Sequence, residues 1–384
     1  MKFLPLLLAG FRRHKLRTAL TLLSVLVAFL LFGYLAAIRN AFQAGVDVAG
    51  ADRLIVRHRV SIIQLLPQSY EAEIERMDGV VDATHATWFG GIYQDPKNFF
   101  PQIPVKPEEY FAMYPEFLLP REQMDAWLKN RIGAVVGRST AERFRWKIGD
   151  RIPIRATIWK TKGGGEMWEF ELVGIYHADD PGVDTSSFFF RHDYFDENRW
   201  WGQGLVGWYI IRVGDPGRAA AIARAIDDHF ANSPAETKTE TEGAFVKAFA
   251  DQIGDIGAIV TAILSAVFFT ILLVVGNTIA QSVKERTPEL GLLKAVGFSD
   301  LSVLGLVLAE ALAIVAVGGA AGLGLAWMLV QGGDPTHGAL PSFFVRPITF
   351  VWGALFIVLL AGIAGSFPAI TAMRLKPVDA LRRE

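Results

Sequence analysis

The sequence predicts an α-helical membrane protein with four transmembrane helices and a large α+β extracytoplasmic domain inserted between the first and second helices. Three observations lead there. Of 384 residues, 52% are hydrophobic, and the mean hydropathy of +0.31 is too high for an ordinary soluble enzyme. Four runs without internal Lys or Arg reach the roughly 20 residues needed to cross a hydrocarbon core about 30 Å thick. The stretch between the first two runs alternates short strands and helices, the pattern of a globular domain.

The segment 1–17 is expected to be a cytoplasmic interfacial segment. Phe3, Leu4, Leu7, Leu8 and Phe11 precede Arg12, Arg13, Lys15 and Arg17, an apolar face followed by a basic cluster suited to lipid headgroups. Residues 18–38 form the first span. This run is longer than the 7–15 residues usual for a signal-peptide core, so it is expected to remain as an anchor.

Residues 39–255 form the inserted domain. RLIVRHR (53–59) reads as a strand, SYEAEIERM (69–77) as a helix and VVDATHATW (80–88) as a strand. FFPQIPVKP breaks the pattern. GAVVGRSTAERFRWKIGDRIPI (133–154) reads as strand, helix, turn and strand, and residues 152–176 as a β-hairpin around KTKGGGE. VGWYIIRV (206–213) is a strand, and PGRAAAIARAIDDHF is a helix with Pro216 near its first turn. Two strand–helix lobes with the hairpin between them are expected. From Thr241 the pattern is helical and is expected to continue into the second span as a stalk, with Asp251 and Asp255 outside the hydrocarbon. The chain has no cysteine, so no disulfide braces this domain.

The second span is 256–281, the third 301–330 and the fourth 347–371, with a short outer loop at 331–346 and a tail at 372–384. Lys and Arg concentrate at 1–17, in the 282–300 loop (Lys284, Arg286, Lys294) and in the tail (Arg374, Lys376, Arg382, Arg383), while 331–346 holds only Arg346. By the positive-inside rule both termini and the 282–300 loop are cytoplasmic.

That loop, SVKERTPELGLLKAVGFSD, carries its own start and stop signals. Thr287 suits an N-cap, Pro288 the first helical position, Glu289 the positive end of the helix dipole and Gly297 the residue just past the helix. Leu290, Leu293 and Val296 fall at helical spacing as an apolar stripe. A simple turn needs none of this, whereas a docking surface does.

ERTPELGLLKAVGFS resembles the cytoplasmic coupling segment of FtsX-like, or MacB-type, permeases of bacterial ABC transporters. The family pattern is met by Glu285, Arg286, Thr287, Glu289, Leu290, Gly291, Leu292, Leu293, Lys294, Ala295, Val296 and Gly297, with Pro288 at a variable position. RRHKLRTALTLLSVLVA, AVVGRSTAERFRWKIGDRIPI with FELVGIY, and RLKPVDALRRE resemble three further stretches of the family; 92–128 matches none of its motifs.

The resemblance implies a permease subunit of the bacterial inner membrane with its large domain, of the MacB periplasmic core type, in the periplasm. It implies dimerisation with a second permease copy or paralogue and two ABC ATPase subunits that bind ATP and Mg, no cofactor being held by this chain. The phosphate-binding pattern GxxxxGK[ST] is absent from these residues, so the ATPase is expected on another chain and this chain is not expected to be catalytic. ATP-driven closure would push the 287–296 helix, with Leu290, Leu293 and Val296 seated in the ATPase and Glu285, Arg286, Glu289 and Lys294 orienting it through surface charge. A periplasmic adaptor or substrate-binding protein and membrane lipids are further implied partners; nucleic acid is not. Export or extraction of a hydrophobic, lipid or peptide cargo is the expected use. Control of a periplasmic cell-wall hydrolase without transport, or a membrane scaffold, is the alternative.

Four other features stand out. Asn277 and Glu310 lie within spans, where polar groups are costly, and are candidates for helix contacts or coupling. GGAAGLGLA (318–326) suits close helix approach. Eight of ten tryptophans lie in the inserted domain, and Trp200 and Trp201 beside Gly202 are the candidate exposed surface for cargo or a partner. His177, Asp179, Asp180, Asp184, His192 and Asp193 show no recognised metal-ligand spacing.

Overall fold

A computed structural model describes residues 15–48, 50–253, 256–333 and 343–375. The expected interfacial helix before residue 15, most of the 331–346 loop and the tail beyond 375 lie outside the described residues. The chain divides into a helical unit, drawn from residues up to 40, 255–333 and 343 onward, and a sheet unit drawn mainly from 41–254.

In chain order, helix α1 (Lys15–Val48) leads to strands β1 (Arg53–His58) and β2 (Leu66–Pro67), helix α2 (Tyr70–Ile74), and strands β3 (Val80–Ala86), β4 (Gly91–Ile92) and β5 (Gln102–Val105). Helices α3 (Pro107–Met113) and α4 (Arg121–Lys129), strand β6 (Gly133–Gly137), helix α5 (Arg138–Phe144) and strands β7 (Arg151–Ala156), β8 (Met167–Tyr176) and β9 (Phe188–Arg191) follow. Then come α6 (His192–Asn198), β10 (Leu205–Val206), β11 (Trp208–Val213), α7 (Ala219–His229), β12 (Thr237–Thr241) and α8 (Glu242–Ile253). The remainder is helical: α9 (Ile256–Glu285), α10 (Thr287–Ala295), α11 (Asp300–Gln331) and α12 (Pro347–Met373).

Helices α1, α9, α11 and α12 are each long and apolar enough to cross a membrane, as the sequence predicts. Their shared core brings Phe29 and Phe32 of α1 against Phe268 of α9 and Phe356 of α12 in edge-to-face pairs. The glycine-rich run of α11 meets α1. A Cβ on Gly322 would stand 2.3 Å from the Leu26 carbonyl oxygen, and one on Gly318 2.9 Å from Val25. Only a missing side chain lets the two backbones come this close.

The sheet unit is not two lobes with a hairpin between. It holds a ten-stranded sheet ordered β12-β1-β11-β3-β5-β9-β6-β8-β7-β4, and the β7–β8 hairpin sits toward one end of it. The halves join where Ala86 of β3 pairs with Val105 of β5. One half is covered by α2 and α7 through Ile74, Ile222, Ile226 and Phe230. In the other half β9 feeds both faces: Phe188 and Phe190 enter a core with Phe89, Trp168 and Phe170, while Phe189 enters one with Phe111, Trp127 and Tyr176, the period-two alternation of a doubly buried strand. The segment 92–128 supplies β5, α3 and α4, which build that second core.

The stalk expected from Thr241 onward is helical on both sides of its midpoint, as α8 to Ile253 and α9 from Ile256. Residues 254 and 255, where they would join, lie outside the described residues.

Candidate functional site

The site centres on α10. Helix α9 continues through Ser282, Val283, Lys284 and Glu285, breaks at Arg286 (φ −97°, ψ 9°), and α10 starts at Thr287. Thr287 is therefore the first helical residue and not the N-cap; Pro288 is the second. The Thr287 hydroxyl donates back to the Val283 carbonyl at 3.1 Å, because the end of α9 offers it an acceptor one turn earlier. The other end closes as the sequence expects for a glycine stop. Gly297 has φ +107°, its N–H donates to Lys294 O at 3.1 Å, and Phe298 N–H donates to Leu293 O at 3.1 Å, the paired bonds of a Schellman closure.

The predicted apolar stripe is divided by burial. Leu290 is 2% exposed and joins the membrane core, Gly291 is buried, and Leu293 packs partly against that core. Leu292 and Val296 are 57% and 74% exposed. Leu290 and Leu293 thus hold α10 to its own bundle, while Leu292 and Val296, at i and i+4, form the outward apolar face with Pro288, Glu289 and Ala295 beside it. The sequence reading missed Leu292, although its apolar character was the available signal; spacing alone does not say which side the bundle covers.

The charges are also engaged within the chain. Arg17 of α1 donates to both carboxylate oxygens of Glu285, at 3.0 and 2.8 Å. Lys294, almost wholly buried, donates to the carbonyls of Met373 and Leu375 at 2.6 and 2.7 Å and pairs with Asp300 at 2.7 Å, so it caps the C-terminal end of α12. Arg286 donates through Nη1 to Glu310 at 2.9 Å and through Nε to Glu289 at 3.4 Å. Glu289, its side chain 46% exposed, lies close to Leu292 on the outward face. Glu285, Arg286 and Lys294 are thus each tied to another helix of the chain, α1, α11 and α12 respectively.

Glu310 lies buried on α11 and also accepts from Ser282 at 3.1 Å. Its carboxylate meets a cation and a hydroxyl, the company that an acid at membrane depth requires. Asn277 differs. It is exposed on α9, in a span of which only 17% of the most apolar stretch is buried.

In the sheet unit, Arg53 on β1 fixes α8. It donates to Glu242 at 2.6 Å and to Glu116 at 2.7 Å, with its guanidinium 4.5 Å from the Tyr114 ring centroid. Burial disfavours the charged guanidinium, but the two carboxylates outweigh it and raise its pKa. Glu71 is buried beside His85 (2.5 Å) and Lys106 (2.7 Å). Burial there favours the neutral acid, yet the bonds from His85 and Lys106 prevail and hold its pKa below the usual value. His192 stacks edge-on against His85; burial, then the charges of His85, Arg199 and Lys106, lower its pKa to about 2. No three His, Asp or Glu side chains among the described residues converge in a metal-binding arrangement. Trp200 and Trp201 are 65% and 48% exposed, Trp201 stacking on buried Trp159 at 4.6 Å.

Residues 251–377 match the FtsX-like permease C-terminal family model, which spans α9 to α12. A stretch of 109 residues, 28% of this chain, is 37% identical to the macrolide export ATP-binding/permease protein MacB of Campylobacter fetus, covering 17% of that protein. Another of 141 residues is 33% identical to the ABC transporter permease YknZ of Bacillus subtilis, covering 34% of each chain. The matched regions thus span about a third or less of these relatives. Among solved structures, the periplasmic region of MacB from Actinobacillus actinomycetemcomitans aligns with 53% of this chain and 95% of its own, at 9% identity and a TM-score of 0.38. Over residues 251–377 the chain thus resembles the C-terminal part of FtsX-like permeases, and shorter stretches resemble MacB and YknZ.

Proposed function

We propose that this chain is the membrane subunit of an ABC transporter, and that a separate ATPase docks on the outward face of α10 through Leu292 and Val296, with Glu289 meeting a partner cation. The observation carrying this reading is the division of α10 into a buried side tied to α11 and α12 and an exposed apolar side with nothing of its own chain upon it among the described residues. A helix held this way moves with the bundle when pushed. Force applied at Leu292 and Val296 passes through Arg17–Glu285, Arg286–Glu310 and Lys294 into α1, α11 and α12, and along α1 and α9 toward the sheet unit.

In this scheme the ATPase binds ATP and Mg and is present in two copies, one for each permease subunit. The concentration of Lys and Arg beside α10 and at both ends of the chain supports a cytoplasmic α10 and a sheet unit on the periplasmic side. The exposed Asn277 amide supports the second permease copy, because an amide facing hydrocarbon is satisfied best by another helix. Trp200 and Trp201 offer an apolar surface to a lipid or peptide cargo, or to an adaptor.

The test is affinity purification of the full chain from its native membrane, followed by ATPase assays. An ABC ATPase should copurify, with a turnover that the chain alters. Leu292→Asp should abolish retention while the chain still accumulates in the membrane. Absence of any ATPase from the wild-type preparation refutes the reading.

A further inference from the structure

Arg286 is shared between two acids, one on α11 and one on α10 itself. One is Glu310 on α11, buried to the same degree as Arg286, with side chains 9% and 11% exposed. The other is Glu289, one turn along α10, with its side chain 46% exposed. The inner contact, at 2.9 Å, has the length of a charge-assisted hydrogen bond, while the outer one, at 3.4 Å, is stretched. A single cation is thus held tightly inside and loosely at the surface.

We propose that Arg286 relays occupancy of the exposed α10 face to the membrane interior by releasing and regaining Glu289 while it stays paired with Glu310. The inference rests on the docking reading above. A cation brought to Glu289 by a docked partner competes for that carboxylate and frees the outer arm of Arg286, whose guanidinium then settles on Glu310. Departure of the partner restores the fork. The inner pair does not dissolve in exchange, because an unpaired carboxylate in a low-dielectric, buried position is far more costly than one in water. Glu310 also accepts from Ser282 on α9, so a change in how Arg286 pulls on it alters the load between α9 and α11. Arg286 lies at the break between α9 and α10, where a small shift of its side chain turns α10 about its own start. Arg286 and Glu310 are positioning residues in this scheme, and Glu289 is the sensor.

The chain contains no cysteine, so one introduced thiol can be followed alone. In the full chain carrying Leu293→Cys, reconstituted in nanodiscs, maleimide labelling reports how firmly the partly buried side of α10 is seated. Glu310→Gln should speed labelling by about fivefold or more, and Glu289→Gln should slow it by about twofold or more, because Arg286 then belongs to Glu310 alone. In the Glu289→Gln/Glu310→Gln double variant, the Glu289 change should lose its effect. The charge swap Arg286→Glu/Glu310→Arg should return labelling to within about twofold of the parent, a rescue that loss of packing alone would not give. Should Glu310→Gln fail to accumulate, Glu310→Asp takes its place in the same cycle. Additive effects of the two single changes, or no response to Glu289→Gln, overturn the relay. These readouts need no ATPase: additive effects overturn the relay whatever copurifies, and failure of the wild-type chain to retain an ATPase overturns the docking reading whatever the cycle shows.

Discussion

Replacing Leu290 and Leu292 separately by alanine distinguishes the two sides of α10. The residues are two apart and chemically identical, yet Leu290 is 2% exposed and Leu292 57% exposed. Leu290 shares a core with Val283 of α9, Val303 of α11 and Ala372 of α12. Truncating a leucine so buried removes its transfer free energy and leaves a cavity, together about 2–5 kcal/mol. That is an increase of about 30- to 4,000-fold in the unfolded fraction. Leu292→Ala removes surface already open and should change stability by no more than about 0.5 kcal/mol. If Leu292 anchors a docked partner, its loss should instead weaken association by about 1–2 kcal/mol, or roughly 5- to 30-fold. Heating detergent-purified variants and following the monodisperse gel-filtration peak measures the first quantity; ATPase retained on the affinity-tagged chain measures the second. Leu290→Ala should melt early, and Leu292→Ala should remain folded and lose its partner. Equal stability of the two variants, or an early-melting Leu292→Ala, would refute the assignment of faces.

Gly322→Leu should prevent α1 and α11 from meeting, since even a Cβ there would stand 2.3 Å from the Leu26 carbonyl oxygen; loss of the variant from the membrane fraction checks this, with Gly324→Leu, where a Cβ meets nothing within 4 Å, as the tolerated control. Arg53→Leu leaves Glu242 and Glu116 without their buried cation and should cost the sheet unit about 3–5 kcal/mol, read as a lowered thermal midpoint. The Glu71 carboxyl titrates below its ordinary value in the folded chain, so the stability it contributes is complete above the unfolded carboxylate pKa of about 4.3 and is lost as pH falls through the lower folded value. Acid titration followed by tryptophan fluorescence should show a shallower stability loss below about pH 4 for Glu71→Gln than for wild type; parallel curves would exclude Glu71 as a contributor.

Local signals made much of this protein legible in its sequence. Span length and hydropathy define four membrane helices because every backbone polar group in a bilayer must be satisfied within its own helix, and that demand is written in consecutive residues. Strand alternation, the KTKGGGE turn and the Gly297 stop are likewise local, as is the position of α10 between two spans. What tertiary structure decided was which side each residue faces and with whom it pairs. Helical spacing grouped Leu290 with Val296, but the bundle covers the first and leaves the second open. Charge in the 282–300 loop looked like surface charge, yet the partners of Glu285, Arg286 and Lys294 are Arg17, Glu310 and the end of α12, distant in the chain. The continuity of the ten-stranded sheet depends on Ala86 pairing with Val105, and Thr287 lost its expected cap because α9 runs on to Glu285. Periodicity and propensity act between near neighbours, while burial and ion pairing are settled only when distant segments meet.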